Sequence, residues 1–364
     1  VVRLRSALLC ALLVSGLALA RHPEAVTGGL QALRVRASGG LQPLPVEVIL
    51  RDVEAAQAAG RHAEVAQLCQ ALYIHHADHE LAEAAHVHAM RAHVAAGDLV
   101  GAGRDLEHLR ARHPRSEYLP EALLELAGAQ FETGTYAAAA GTYTDLVALV
   151  TTAKDARAGE EDTTPAPPPI IRSLRRWNEV KRQERSRTQL ERLARFNQAL
   201  SFARGGDREA AIRAYDRFLC RFPQDTRAAE THFQVAVLQE EAGRLDEAVQ
   251  HFRAAYAAGQ NGTAPASLCS ESVFRAGRLL LELRRHEEAA GTLRLALALR
   301  PADDEFRLSA LAELARLVES REPLRALDLY RELAEHSTRP AWRAVALERL
   351  AVLESESAVA AAAR

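Results

Sequence analysis

The chain has 364 residues, of which 48% are hydrophobic and only 5% aromatic, and a formal net charge of −2. That balance gives no general attraction to nucleic acid or anionic lipid, and no nucleic-acid-binding motif is present. The length suits either two globular domains or one elongated array of stacked repeats.

In chain order, Arg3 and Arg5 precede an apolar run from Ala7 to Ala20 that ends in Ala18-Leu19-Ala20, the small-x-small pattern of a secretory cleavage site. The run falls short of the roughly 20 apolar residues needed to cross a bilayer. Residues 1–20 are therefore predicted to be a signal peptide cleaved before Arg21, with an uncleaved anchor as the alternative. Leu8 and Leu9 before Cys10 argue against a lipidated cysteine. Residues 21–45, with Gly28, Gly29, Gly39, Gly40, Pro43 and Pro45, read as a flexible tether.

From Val46 onward a repeat takes over. Small residues at Val65, Ala102, Ala139, Ala211, Ala248, Ala289 and Ala326 are each followed four residues later by a larger one: Cys69, Leu106, Tyr143, Tyr215, Phe252, Leu293 and Tyr330. Five residues before each small position stand Gly60, Gly97, Gly134, Gly206, Gly243, Arg284 and Arg321, giving steps of 37, 37, 72, 37, 41 and 37 residues. Apolar stretches at helical spacing flank each of these points, so the unit is helix, tight turn, helix. The glycine ends the first helix, the small residue lets the two helices approach, and the larger one fills the groove beside it. Pro114, Pro223 and Pro301 mark the ends of second helices.

Gly206, Ala211, Tyr215 and Pro223, with Gly243, Ala248 and Phe252, resemble the tetratricopeptide repeat, over roughly residues 46 to 340 apart from an insertion. The predicted fold is all-α, a right-handed superhelical solenoid of about seven helix-turn-helix repeats. Repeats 1–3 fill 46–150, a linker and basic helix 151–190, repeats 4–7 residues 191–340, and a capping helix and tail 341–364. The turns His113-Pro-Arg-Ser116 and Phe222-Pro-Gln-Asp225 make the chain similar to bacterial envelope repeat proteins of the Tol-Pal-associated and outer-membrane assembly types. It lacks the lipid-anchor cysteine of one and the N-terminal heptads of the other.

The resemblance implies that position 5 of each first helix faces a concave groove. Those positions hold Leu50, Val87, Leu124, Phe196, Phe233, Phe274 and Leu311, all apolar, and they read either as a groove for a partner segment or as packing between helices. The Lys and Asn pattern that clamps a terminal carboxylate in chaperone-binding members is missing there. A basic tract at Arg172, Arg175, Arg176, Lys181, Arg182, Arg185 and Arg187, with Trp177 inside it, reads as a solvated helix face or a contact for an acidic partner.

Nine of the fourteen histidines, His62, His75, His76, His79, His86, His88, His93, His108 and His113, crowd into the first repeats. A metal site, with His75, His76 and His79 as its candidates, or a proton-sensitive surface is one reading; with His232, His86 and His93 occupy packing positions, so the cluster reads rather as structural or solvated histidines, and no metal or cofactor is assigned. Cys69 sits at a packing position; Cys220 and Cys269, the latter assigned to a loop, are left open as a pair. Glu271-Ser-Val-Phe274 copies the start of a lytic transglycosylase signature whose downstream element is absent, and no catalytic residue is assigned. Asn261-Gly-Thr263 is a glycosylation sequon only in a host that glycosylates.

The expected function is a non-catalytic interaction scaffold of the bacterial cell envelope, exported to the periplasm, binding other envelope proteins or their segments. Membrane contact is expected to be only indirect, and oligomerisation is left open. The alternatives are a structural subunit of a larger envelope complex and, less favoured, a peptidoglycan-active enzyme.

Overall fold

The computed structural model describes residues 36–37, 40–41, 44–157, 187–260, 262 and 264–362. The fold is all-α, with fifteen α-helices among the described residues and one two-residue antiparallel bridge, Arg36–Ala37 against Gly40–Leu41. Contacts divide the chain into two compact units, 1–206 and 207–364.

Unit 1 contains α1 (Val46–Ala58), α2 (His62–His75), α3 (Ala82–Ala95), α4 (Leu99–Arg112), α5 (Leu119–Glu132), α6 (Tyr136–Arg157) and α7 (Arg187–Arg204). Unit 2 contains α8 (Arg208–Arg221), α9 (Ala228–Glu241), α10 (Leu245–Gly259), α11 (Ala266–Glu282), α12 (His286–Leu293), α13 (Glu305–Val318), α14 (Pro323–His336) and α15 (Pro340–Ala362). Within each unit every helix packs on its sequence neighbours, as stacked repeats require.

The turns explain the period. Gly60, Gly97, Gly134, Gly206 and Gly243 take φ between 67° and 82°, a left-handed conformation that costs glycine nothing. At four of them the next residue's N–H reaches five residues back, as Asp98 N to His93 O at 2.9 Å, closing the first helix. Arg284 adopts the same conformation at φ 62° despite its side chain. Arg321 does not: the seventh turn closes by Glu322 N donating to Val318 O at 2.7 Å, with no left-handed residue. Asp98 and Asp207 cap α4 and α8, accepting from Gly101 N and Ala210 N.

All fourteen residues of the small-large pattern are buried. Burying a side chain such as Tyr215 or Phe252 contributes roughly 2–3 kcal/mol, so these columns dominate the stability of each helix pair. Arginine-carboxylate contacts 34 to 39 residues apart tie neighbouring repeats together: Arg91–Glu125 and Arg110–Asp145 in unit 1, Arg244–Glu209, Arg275–Glu240 and Arg285–Asp246 in unit 2. Each exposed pair adds at most about 1 kcal/mol.

Several expectations change. Cys269 lies inside α11, not in a loop, because that helix begins at Ala266. It is buried and free, as is Cys69, while Cys220 is free and exposed, so the Cys220–Cys269 pair is not formed. The second helix of the sixth repeat is cut to eight residues and continues as a 3₁₀ turn, Arg294–Ala298, before the Arg300–Pro301 bond. The expected linker begins inside α6, which runs to Arg157; residues 158–186, like the predicted signal peptide, lie outside the described residues.

Candidate interaction surface

The seven position-5 residues divide by burial. Val87, Phe196 and Leu311 are buried and belong to the packing. Val87 joins the cluster of Met90, Ala102 and Leu106, and Leu311 that of Leu314 and Ala315, where the neighbouring helices cover them. Leu50, Leu124, Phe233 and Phe274 are half-buried, each resting one side on a core cluster with the other toward solvent. The pattern therefore marks packing residues at three repeats and partly open apolar side chains at four. Beside Leu50 a cavity of about 20 Å³, room for one water, is lined by Gln57, Cys69, Ala84 and His88 among others.

In unit 2 the side chains around Phe233 and Phe274 form a tied patch. The Arg275 guanidinium lies 5.6 Å from the Phe233 ring centre and 5.8 Å from that of Phe252. It donates to Glu271 on its own helix (2.8 Å) and to Glu240 on α9 (3.1 Å), and Arg278 also donates to Glu240 (2.5 Å). Phe274 sits 6.2 Å from Phe306. In unit 1 Arg91 makes a two-pronged contact to Glu125 of α5 at 2.6 and 2.7 Å.

Unit 1 also holds a buried polar network. Asp105 on α4 is fully buried, and its Oδ1 accepts from Gln70 Nε2 and from the Tyr73 hydroxyl, both on α2, at 2.8 Å. Its Oδ2 makes no hydrogen bond among the described residues and faces His93 Nε2 at 3.6 Å. His93 Nδ1 lies 3.1 Å from Asp98 Oδ2. Burial pushes the Asp105 carboxyl up, against the opposing pull of its two donors. Burial also pushes the Cys69 thiol up to about 12, with Asp105 adding to the effect. Cys69 is thus an unreactive thiol.

His86 stacks on Tyr73 with ring centres 3.7 Å apart, and burial holds its imidazole down at about 4. The same cause holds His88 and His232 near 4; His232 Nδ1 meets His251 Nδ1 at 3.1 Å. Among the described residues no group of three or more His, Cys, Asp or Glu side chains is arranged to hold a metal ion, and no helix is long and apolar enough to cross a membrane. Glu271 of the Glu-Ser-Val-Phe run is tied to Arg275 one turn along α11. Of the basic tract, Arg187 opens α7 and the other six residues lie outside the described residues.

Residues 183–225 match the family model of the tetratricopeptide repeat. That stretch covers the fourth repeat, and the same small-large columns recur in the other six helix pairs. No curated protein matches the chain. Among solved structures it is similar to a tetratricopeptide repeat protein from Parabacteroides merdae, with 13% identity over 85% of this chain and 98% of that one and a TM-score of 0.34. It is also similar to MamA residues 41-end from Desulfovibrio magneticus RS-1 (11% identity, 60% and 97%, TM-score 0.33). A third is the apo form of RapI (12%, 83% and 79%, TM-score 0.37).

Proposed function

We propose that this chain is a non-catalytic protein-protein interaction scaffold of the bacterial cell envelope, which holds segments of partner proteins against the exposed side of its first helices. The observation that carries this reading is the half-open state of Leu124, Phe233 and Phe274, large apolar side chains kept at the surface of rigid helices. The envelope assignment is supported by the signal-like segment at residues 1–20 and by the Pro-x-Ser and Pro-x-Asp turns.

The test is affinity capture from envelope extract by residues 21–364 beside a Leu124→Ser, Phe233→Ser, Phe274→Ser variant whose helicity is first checked by circular dichroism. Partners lost only with the variant support the surface. Partners retained by both would move the contact to other helices and favour a structural-subunit role. Recovery of the tagged chain in the cytoplasmic fraction alone would remove the envelope from the proposal, and release of soluble fragments from purified peptidoglycan would remove the non-catalytic reading.

A further inference from the structure

Three of the four half-open apolar positions share a charge pattern that the buried ones lack. Leu124 is flanked by Glu121 and Glu132, Phe233 by Glu230 and Glu241, and Phe274 by Glu271 and Glu282, in each case three residues before and eight after. Val87 has Ala84 and Ala95 at those places, Phe196 has Leu193 and Arg204, and Leu311 has Leu308 and Glu319. At Leu124, Phe233 and Phe274 two glutamates accompany the half-open side chain; at the three buried positions the pair is missing. Leu50, on the first helix, has the leading Glu47 alone.

Helix geometry places the two glutamates together. Offsets of −3 and +8 fall about 60° and 80° round the helix from the apolar residue, so both carboxylates lie on the same flank, roughly 16 Å apart along the axis. Five of these six glutamates are exposed and Glu271 is half-buried. Glu132, Glu230 and Glu282 make no ion pair among the described residues, while Glu271 is held by Arg275, Glu241 by Arg208 at 3.2 Å and Glu121 by Arg91 at 3.9 Å. Helix α9 carries Glu230, Glu240 and Glu241 and no Lys or Arg. In each unit, then, an apolar contact point is bordered at both ends by carboxylates, at least one of them unpaired.

We infer that the partner is a protein segment with an apolar side chain flanked on both sides by lysine or arginine: the apolar side chain meets the exposed side of Leu124, Phe233 or Phe274, and the cations meet the glutamates beyond it. This rests on the interaction surface proposed above and assigns the chemistry of what it holds. A carboxylate-rich or phosphorylated segment meets repulsion from Glu132, Glu230 and Glu282, the glutamate at each contact point that no arginine neutralises among the described residues.

The experiment uses the full chain and three fluorescein-labelled 16-residue peptides read by anisotropy at low and high salt. One alternates leucine with paired lysines, one replaces every lysine by glutamate, and one replaces every leucine by serine. The leucine-lysine peptide binds at least tenfold more tightly than either other, and loses about tenfold in affinity with a Glu132→Gln, Glu230→Gln, Glu282→Gln variant, an isosteric change at exposed sites that leaves helicity intact. Equal binding of the leucine-lysine and leucine-glutamate peptides, lost in the Phe233→Ser, Phe274→Ser variant, would overturn the charge assignment and leave the surface standing. Binding that neither set of variants alters, or no binding of any peptide, would overturn both. A gain in affinity on changing Arg175, Arg176, Arg182 and Arg185 to glutamine would show that the chain's own basic tract is the occupant, and would likewise overturn a separate partner.

Discussion

Acid should loosen unit 1 through His86, by an amount that follows from the geometry. His86 on α3 is 3% exposed, stacked on Tyr73 of α2, and faces His108 of α4 and then Arg112 and His113 at that helix's end. No carboxylate is among the groups acting on it; burial, with His113, His108 and Arg112 acting in the same direction, lowers its value from 6.5 to about 4. The unfolded chain takes up the proton near 6.5 and the folded one only near 4. The stability that rests on neutral His86 is therefore fully present above 6.5 and is lost as the pH falls from 6.5 toward 4. Between pH 7 and pH 5 the linkage relation gives a loss of about 2 kcal/mol. His86 Nδ1 makes no hydrogen bond among the described residues, so His86→Phe keeps the stacked ring and breaks no bond there. Hydrogen exchange of the α3 amides at the two pH values provides the assay. The wild type should lose about 2 kcal/mol more protection than the variant; equal losses in both would refute a buried neutral His86 as the source.

Gly277→Ala should destabilise unit 2 by roughly 1–3 kcal/mol in thermal melts, since an added Cβ would lie 2.3 Å from Leu293 Cδ2 in the core. Gly101→Ala should cost a similar amount, roughly 1–3 kcal/mol, and expose α4 to exchange, because its Cβ would meet Asp98 Oδ2 at 2.3 Å and His93 Nδ1 at 2.6 Å. Arg284→Gly relieves a left-handed non-glycine residue and should raise stability by about 1 kcal/mol in a denaturant titration, whereas Gly243→Ala should lower it by about as much. In a Cys10→Ser chain at pH 8, a thiol reagent should label Cys220 rapidly and reach Cys69 and Cys269 only on unfolding, as mass spectrometry would resolve.

The helix pairs were legible because their determinants are local: a turn glycine, a small residue five positions on and a large one four beyond lie within one hairpin. The state of the position-5 residues is less legible: Val87 and Phe274 have the same place in the repeat, neighbouring helices cover the first and leave the second partly open, and only the glutamates flanking Phe274 hint at the difference. The Asp105 network escaped notice because Gln70, Tyr73, His93 and Asp105 come from three helices. A signal was nonetheless present in the column just before each large residue. It holds Leu68, Ala214 and Leu329, but also Asp105, Thr142, His251 and Thr292. Each of those four polar side chains makes a hydrogen bond to another helix: Thr142 to Gln130, Arg253 to Thr292, His251 with His232, and Gln70 and Tyr73 to Asp105. Cys269 belongs to a helix because α11 starts at Ala266 after Pro265, further ahead of its turn residue than α1, α3, α5, α9 and α13 start ahead of theirs.

Helices α6 and α7 join across the interruption in the repeat: Asn197 Nδ2 donates to the Tyr143 hydroxyl at 3.3 Å and Gln198 Nε2 to Thr144 Oγ1 at 2.7 Å, 54 residues apart. The entropy of closing a flexible loop grows only with the logarithm of its length, by about 0.6 kcal/mol for each doubling. That is comparable with one side-chain hydrogen bond, so a flexible insertion leaves the pairing of α6 and α7 to their own side chains. The site between Arg157 and Arg187 is where this protein can accept foreign sequence, and where new recognition elements can be gained or exchanged without refashioning the repeats on either side.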